Sequence, residues 1–298
     1  MPYILRTHHL TKTIGGKNIV EDVNLHVKAG EIYGFLGPNG AGKTTVMKMI
    51  CNLWKPTSGE IEVFGTPLMP DSYEVLKRMG SIIEFPAFYD NMTGYQNLKL
   101  HCEYMGYYKH GCIENALEML GLKEAAGKKV KSYSLGMKER LGIARAILCK
   151  PELLILDEPT NGLDPAGMKQ IRDLLKMLAD EYNTTVLISS HILSEIESIA
   201  DTIGIIHHGK LQKEISMTEI EQMNLAYIEV KVSNTKQAAF VLSDKMETQN
   251  FKIADNGEIR IYDSKISIPE LAKTFALHDV EIFALEDYFL KMTAEVDK

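Results

Sequence analysis

The nine residues from Gly37 to Thr45 constrain this chain more than any other segment. They read G-P-N-G-A-G-K-T-T and contain the pattern G-x-x-x-x-G-K-T. Glycines let the backbone approach a polyphosphate and direct N–H groups at it, while the lysine binds phosphate and the threonine hydroxyl binds Mg²⁺. A buried strand over Glu31–Leu36 and a helix over Val46–Leu53 are predicted on either side. The pattern predicts a site for a nucleoside triphosphate, formed by Gly37, Pro38, Asn39, Gly40, Ala41, Gly42, Lys43, Thr44 and Thr45.

Composition and charge limit the classes of protein to which the chain can belong. Its 298 residues suffice for one large domain or for a large and a small one, and 45% hydrophobic residues can form a sizeable core. A formal net charge of −7 argues against a nucleic-acid partner. No apolar run is long enough to span a bilayer and no signal peptide is recognised, so direct membrane insertion is not expected. Four cysteines without a C-x-x-C pair are expected to be reduced thiols of a cytoplasmic protein.

Two apolar segments in the middle of the chain end in residues that can act on a phosphate. Leu153–Leu156 (L-L-I-L) predicts a buried strand that ends at Asp157, a ligand for the Mg²⁺ shell. Glu158 follows, near the place of an attacking water. Thr185–Ser190 predicts another buried strand, and His191 stands at its end, where the neighbouring motifs favour a phosphate contact over a structural role. These residues predict hydrolysis of the bound nucleotide.

The segment Gly80–Glu84 (G-S-I-I-E) predicts one more short strand that ends on a carboxylate. Glu84 either contacts water or Mg²⁺ near the phosphate site or is a solvated side chain. Phe85, Phe88 and Tyr89 follow it. They are compatible with a core position and equally with an exposed edge that receives a helix of a partner.

The order of strands and helices predicts an α/β fold. Thr13–Lys17 reads as a hairpin turn and Ile19–Val27 as a strand, so an antiparallel unit precedes the phosphate-binding loop. The later apolar strands alternate with helices, which indicates a mostly parallel sheet covered by helices. In such sheets ligands bind at the carboxyl ends of the strands, here the ends that carry Gly37, Glu84, Asp157 and His191.

A helical insert is predicted from about residue 85 to 150. Within it, Ser134 is placed to cap a helix that runs to Leu148. Ser134 and Gly136 can form a second anion-binding helix end, and the alternative is a plain capped amphipathic helix.

After about residue 220 the pattern changes to β-α-β-β-α-β, which is compatible with a ferredoxin-like arrangement. The predicted helices and strands are Ala226–Val232, Lys236–Met246, Phe251–Ala254, Glu258–Tyr262, Ile268–Phe275 and Val280–Leu285, and a last helix over Glu286–Met292. The chain is therefore expected to contain a large domain over 1–220 and a small α+β domain over 221–298.

Five motifs in this order resemble the ATP-binding subunit of an ABC transporter. They are G-P-N-G-A-G-K-T-T, Y-S-L-G-M, L-L-I-L-D-E-P, N-G-L-D-P and S-S-H, and the resemblance extends over about Leu5 to Ser216. It implies an ABC ATPase with a P-loop core, an antiparallel β subdomain and a helical insert. It also implies ATP and Mg²⁺ as cofactors and a head-to-tail homodimer that holds each ATP between the P-loop of one copy and the signature loop of the other.

The resemblance also implies a role for each matching residue. Lys43 binds phosphate and Thr44 binds Mg²⁺ together with Asp157. The general base is Glu158, and His191 reaches the γ-phosphate. Ser134 and Gly136 contact ATP across the dimer, and Asp164 is the D-loop carboxylate, counted with the nucleotide-binding residues. A separate membrane permease would be the partner, which places the chain in the cytoplasm at the inner face of the cell membrane.

Three departures from the common family pattern bear on these roles. Ile14 stands where the family usually has an aromatic residue that stacks on adenine. Tyr133, Leu135 and Met137 replace three residues of the usual L-S-G-G-Q signature. Glu84 replaces a glutamine. This glutamate, the S-L-G-M segment and the C-terminal extension resemble the branch of bacitracin-resistance and lantibiotic-immunity exporters, which implies export of an antimicrobial peptide or another antibiotic. Glu84 is counted with the nucleotide and metal site because of its place at a strand end near the phosphates.

Two other functions compete with a transport motor. A soluble ABC ATPase that acts on ribosomes usually carries two cassettes in one chain, and this chain has one. A regulatory binder that does not hydrolyse ATP is disfavoured by the intact Lys43, Asp157, Glu158 and His191. A neighbouring reading frame for a polytopic membrane protein would discriminate among them.

Overall fold

The chain divides into two units, Met1–Ile215 and Ser216–Lys298. The computed structural model describes residues 2–223, 227–246, 248, 250–253, 257–263 and 266–287. The sequence placed a domain boundary between residues 220 and 221, and the assignment of these domains stays a prediction.

The strands of the first unit form two sheets. In chain order they are β1 (Tyr3–Ile14), β2 (Lys17–Val23), β3 (His26–Lys28), β4 (Ile32–Leu36), β5 (Ser58–Val63), β6 (Thr66–Pro67), β7 (Met79–Ile82), β8 (Leu153–Asp157), β9 (Thr185–Ser190), β10 (Thr202–His207) and β11 (Lys210–Ser216). The first sheet has the order β2-β1-β5-β6, with β3 paired to β1, and its pairs are antiparallel. It corresponds to the predicted antiparallel unit.

The second sheet carries the phosphate-binding loop. Its order is β11-β10-β4-β9-β8-β7, and β10, β4, β9, β8 and β7 pair in parallel. β4, β8 and β9 are buried along their whole length, as expected for strands covered on both faces. The carboxyl ends of these strands therefore meet at one edge, because parallel strands all end on the same side.

The helices of the first unit lie between these strands. They are α1 (Lys43–Ile50), α2 (Tyr73–Lys77), α3 (Gly94–Met105), α4 (Cys112–Met119), α5 (Leu135–Ile147), α6 (Pro165–Tyr182) and α7 (Leu193–Glu197). Local sequence explains several of their starts. Thr93 and Gln96 form a capping box before α3, and Ser134 accepts the Met137 N–H at the start of α5. The insert between β7 and β8 thus contains α3, α4 and α5.

The second unit contains α8 (Met217–Met223), β12 (Ile228–Val232), α9 (Thr235–Asp244), β13 (Phe251–Ile253), β14 (Ile259–Ile261), α10 (Ile268–Leu277) and β15 (Ile282–Asp287). Its sheet has the order β13-β14-β12-β15, with antiparallel pairs. This is the strand order of a ferredoxin-like fold. Val230, Leu242 and Phe275 lie in its buried core.

Two predicted elements differ from the structure. The strand predicted over Ile19–Val27 is interrupted at Asn24 and Leu25, because β2 and β3 pair with two different stretches of β1. The helix predicted over Glu286–Met292 was wrong at its start, because β15 continues through Asp287 and pairs with β12. Residues 288–292 lie outside the described part of the chain.

Candidate active site

The phosphate-binding loop is closed on itself by its lysine. Lys43 is buried, and its Nζ donates to the carbonyl oxygens of Gly37 at 2.6 Å and Pro38 at 3.2 Å. Gly37 requires the absence of a side chain, since a Cβ there would lie 2.3 Å from the carbonyl oxygen of Ile206. Gly42, at the start of α1, has a φ of 107°, which side chains disfavour. The loop therefore presents backbone N–H groups and an ammonium to one cradle, the donor set that a polyphosphate needs.

A chain of short hydrogen bonds joins the loop to the neighbouring strands. The Thr44 hydroxyl donates to Asp157 Oδ2 at 2.7 Å. The Ser189 hydroxyl donates to Asp157 Oδ1 at 2.7 Å and accepts the Glu158 N–H at 2.9 Å. A hydroxyl and a carboxylate in contact are oxygen donors of the kind that Mg²⁺ prefers, and that ion usually takes few protein ligands beside phosphate and water. The residues present thus fit a magnesium–nucleotide site.

Glu158 is held by three donors at the end of β8. Its Oε1 lies 3.2 Å from Lys43 Nζ, and its Oε2 is 2.5 Å from Asn161 Nδ2 and 3.1 Å from His191 Nδ1. Its backbone has a left-handed φ of 48°. Burial acts to raise the pKa of the Glu158 carboxyl, but the Asn161 hydrogen bond and the charges of Lys43 and His191 outweigh it and hold that pKa below its usual range. The carboxylate is therefore ionised and oriented, as a general base must be.

Glu84 follows the end of β7 and makes a different contact. Its φ is 60°, its side chain is 58% exposed, and its Oε1 lies 2.7 Å from Nζ of Lys48 on α1. The structure thus pairs Glu84 with a cation of the P-loop helix. Its predicted part in binding Mg²⁺ stays a prediction.

The residues predicted to act across a dimer make local contacts in this chain. Ser134 caps α5, and Asp164 caps α6 by accepting the Gly167 N–H at 2.8 Å. The Leu135 side chain lies against Gly162, so the signature segment touches the turn before α6. Their contacts with ATP stay predictions.

Two side chains at this edge were not singled out by the sequence analysis. Asn161 lies within the N-G-L-D-P motif, but its spacing from Glu158 alone did not show that the two side chains meet. Ser189 belongs to a strand predicted as merely buried, and its hydrogen bonds to Asp157 and Glu158 depend on the pairing of β8 with β9. The one sequence signal was the pair Ser189 and Ser190, which indicates that β9 ends in polar residues.

Several aromatic and aliphatic residues that the sequence analysis named lie exposed or half-buried near these strand ends. Phe85 is 76% and Tyr89 58% exposed. Phe88 is half-buried, and the Arg145 guanidinium lies 4.9 Å from its ring centroid. Ile14 is exposed at the end of β1. An exposed edge is thus present beside the insert, and the helix it would receive stays a prediction.

Comparison with known proteins decides the family. The sequence profile of the ABC transporter family matches residues 20–161. The bacitracin transport ATP-binding protein of Bacillus licheniformis is 45% identical, over 98% of this chain and 98% of that protein. The chain belongs to the ABC transporter family. The lantibiotic transport ATP-binding protein of Streptococcus pyogenes is 43% identical, over 72% of this chain and 93% of that protein.

The family assignment confirms the resemblance seen in the five motifs. This ABC ATPase is an ATP-hydrolysing subunit of the transporter type. A dimeric ATP-binding cassette solved with ADP and phosphate matches it with a TM-score of 0.64 at 26% identity, over 72% of this chain and 98% of that one. The predicted fold class is thereby confirmed. Within the described residues, none of the helices combines the length and the apolar character that crossing a membrane requires.

Proposed function

We propose that this ABC ATPase drives a separately encoded membrane permease that exports an antimicrobial peptide or another antibiotic. The observation that supports it is the similarity, over nearly the whole chain, to a bacitracin transport ATP-binding protein. The similarity to a lantibiotic transport ATP-binding protein points to the same class of cargo. The subunit would then lie in the cytoplasm, held at the membrane by the permease. A soluble ABC ATPase that acts on ribosomes is not favoured, because both of these relatives are transport proteins.

The phosphate-binding loop, Gly37 to Thr45, binds the ATP phosphates in this proposal. Lys43 gives up the carbonyl oxygens of its own loop and neutralises phosphate charge instead, because an anion is a better partner for the ammonium than two neutral acceptors. Thr44 and Asp157 hold the magnesium ion, which when bound withdraws charge from the phosphate oxygens. The direct hydrogen bond between these two side chains supports this role, because it places both oxygens close together beside the loop.

Glu158 acts as the general base of hydrolysis. Its lowered pKa keeps the carboxylate free to accept a proton from the attacking water. Asn161 and His191 orient the carboxylate. When Lys43 turns to phosphate, Glu158 keeps these two contacts, so the base stays in place while the ion pair is exchanged. His191 also reaches toward the γ-phosphate in this proposal.

The homodimer supplies the remaining contacts. Ser134 and Gly136 of one copy face the nucleotide of the other, at the N-terminus of α5, where the helix dipole favours an anion. Asp164 shapes the turn at the dimer interface through its cap on α6. Glu84, between the ATPase core and the insert, takes part in communication with the permease. The exposed Phe85 and Tyr89 beside it receive a permease helix.

Cellular tolerance and copurification test the function together. Deletion of the gene should lower tolerance to cyclic or lanthionine-containing antimicrobial peptides, and the parent chain should restore it, whereas Glu158→Gln should not. Isolation of the tagged chain from solubilised membranes should recover a polytopic membrane protein. Unchanged tolerance to a panel of such peptides and of other antibiotics would contradict the proposed cargo. Recovery of ribosomes in place of a membrane protein would contradict the transport function.

A further inference from the structure

The cation beside Glu84 is Lys48, on the helix that begins at the P-loop lysine. Lys48 lies five residues after Lys43 in α1. Its Nζ is 2.7 Å from Glu84 Oε1, and its side chain is 17% exposed, against 58% for the glutamate. A largely sheltered ammonium therefore pairs with a carboxylate that otherwise faces solvent.

Trp54 also contacts that ammonium. Lys48 Nζ lies 4.8 Å from the centroid of the indole ring, a distance at which the ring face attracts a cation. The backbone ties the two residues together as well, since the N–H of Trp54 donates to the Lys48 carbonyl at 3.1 Å. Lys12 lies 5.7 Å from the same ring, but its Nζ donates to the Lys55 carbonyl. Lys48 is therefore the cation that contacts both Trp54 and Glu84.

The Glu84 carboxylate, after the end of β7, weakens the binding of an anion in a way that a glutamine of the same shape does not. It repels a bound polyphosphate unless a cation or a proton offsets its charge. Lys43 does not meet this need, because it faces Glu158 and its own loop in the structure and turns to phosphate in the proposed function. Among the described side chains, Lys48 is the cation found within ion-pairing distance of Glu84.

We propose that Lys48 is a positioning residue for the nucleotide site. Its ammonium, steadied on Trp54, offsets the charge of Glu84 and holds the carboxylate toward α1, so that a glutamate at the end of β7 does not weaken ATP binding. The proposal rests on the ATP site of the proposed function, because Glu84 follows β7 at the same edge of the sheet where Asp157 ends β8. It does not depend on which cargo is transported.

A double-mutant cycle on the purified full-length chain tests the pair. The variants are Lys48→Met, Glu84→Gln and the double variant, and the readouts are KM for MgATP and kcat of basal hydrolysis. Methionine keeps the length of the apolar stem and removes the charge. Lys48→Met should raise KM about threefold to fivefold, the upper range for a partly exposed ion pair, with a smaller change in kcat. The double variant should return to the KM of Glu84→Gln, because the uncompensated carboxylate is gone.

Three further variants separate charge from packing. Lys48→Arg keeps the charge and should stay close to the parent. Lys77→Met removes an equivalent charge from the exposed pair with Glu74 on α2 and should leave KM at the parent value. Trp54→Leu removes the ring face and should raise KM about twofold, as expected for an exposed cation–π contact.

The outcomes discriminate between charge compensation by Lys48, a direct contact of Lys48 with the nucleotide, and a packing role. A parent-like KM in Lys48→Met would overturn the proposal. So would a double variant as impaired as Lys48→Met, since Lys48 would then act on the nucleotide directly. Equal impairment in Lys48→Arg would mean that shape, not charge, matters. Thermal unfolding without nucleotide identifies a misfolded variant, and Lys48→Gln then replaces Lys48→Met. Every readout uses the isolated chain, so a result that overturns the role of Lys48 leaves the transport proposal standing. The tolerance experiment, in turn, tests the transport proposal alone.

Discussion

Two neighbouring strands of the parallel sheet lead into glutamates, and α1 supplies a lysine to each of them. Glu158 follows β8 and lies 3.2 Å from Lys43, whereas Glu84 follows β7 and lies 2.7 Å from Lys48. Both glutamates have a left-handed backbone, with φ of 48° and 60°. Their surroundings differ, because the Glu158 side chain is 20% exposed and the Glu84 side chain 58%.

This difference separates a residue suited to chemistry from one suited to communication. Glu158 has two further donors, Asn161 and His191, so its carboxylate stays oriented when Lys43 leaves it. Glu84 has one ion-pair partner among the described residues and lies where the insert begins. A carboxylate held by one partly exposed pair can exchange partners at little cost, since pairs of this kind contribute about 1 kcal/mol or less.

Lys43→Ala should have the largest effect, because the polyphosphate loses its main compensating charge. ATP binding and hydrolysis should fall by at least about two orders of magnitude, in keeping with the loss of charge-assisted hydrogen bonds that contribute up to about 3 kcal/mol each. Equilibrium titration with a fluorescent ATP analogue and a phosphate-release assay measure both. The matched control is Lys77→Ala, which removes an exposed lysine paired with Glu74. Undiminished ATPase activity would end the assignment of the phosphate-binding loop.

Glu158→Gln should separate binding from hydrolysis. A positioned general base contributes roughly 10²–10⁴-fold, so hydrolysis should fall by that factor while ATP is still bound. Single-turnover hydrolysis and nucleotide titration measure the two effects. Light scattering with MgATP should then show a dimer, because the bound ATP persists. A variant that hydrolyses ATP at the parent rate would contradict the role of Glu158.

Glu139 on α5 sharpens the comparison, because it is a buried glutamate without an ion pair among the described residues. It is 5% exposed, and burial raises the pKa of its carboxyl to about 7, the opposite direction from Glu158. A carboxyl whose pKa is higher in the folded chain contributes stability that is fully present below its unfolded pKa and is lost as pH rises through about 7.

Glu139→Gln should therefore remove this loss of stability. The predicted quantity is the free energy of unfolding of the variant minus that of the parent. This difference should be larger at roughly pH 8 than at roughly pH 4.5, by about 1–3 kcal/mol. Chemical denaturation of both proteins at the two pH values measures the difference. An offset that does not change with pH would show that Glu139 is not buried in its neutral form.

The sequence predicted the strand ends well and their side-chain partners poorly. An apolar run that ends in polar residues, as before Asp157 and His191, indicates the end of a buried parallel strand, because the interior of such a strand is mostly apolar. Nothing in the spacing of Lys48 and Glu84, 36 positions apart, indicates that they meet, since that contact depends on how the fold brings α1 and the residues after β7 together. The left-handed backbone of Glu84 also has no sequence signal, since glutamate rarely adopts it.

In the second unit, too, the sequence predicted the order of strands and helices but not the effect of a contact with a distant strand. Its β-α-β-β-α-β order followed from alternating apolar residues, and the structure has that order over the described residues. The end of β15 was predicted too early, because Glu286 and Asp287 read as a helix start, whereas pairing with β12 extends the strand through them. Local preference was overridden there by a contact with a distant strand.

The ratio of permease-stimulated to basal ATPase activity tests the central claim, that Glu158 performs chemistry and Glu84 communicates. It should be measured in the reconstituted complex for the parent, Glu158→Gln and Glu84→Gln. Glu158→Gln should lower both rates by a similar large factor and so leave the ratio near the parent value. Glu84→Gln should change the ratio about twofold to fivefold, since a single exposed ion pair is lost. Equal changes of both rates in Glu84→Gln, or a change of the ratio confined to Glu158→Gln, would contradict the account.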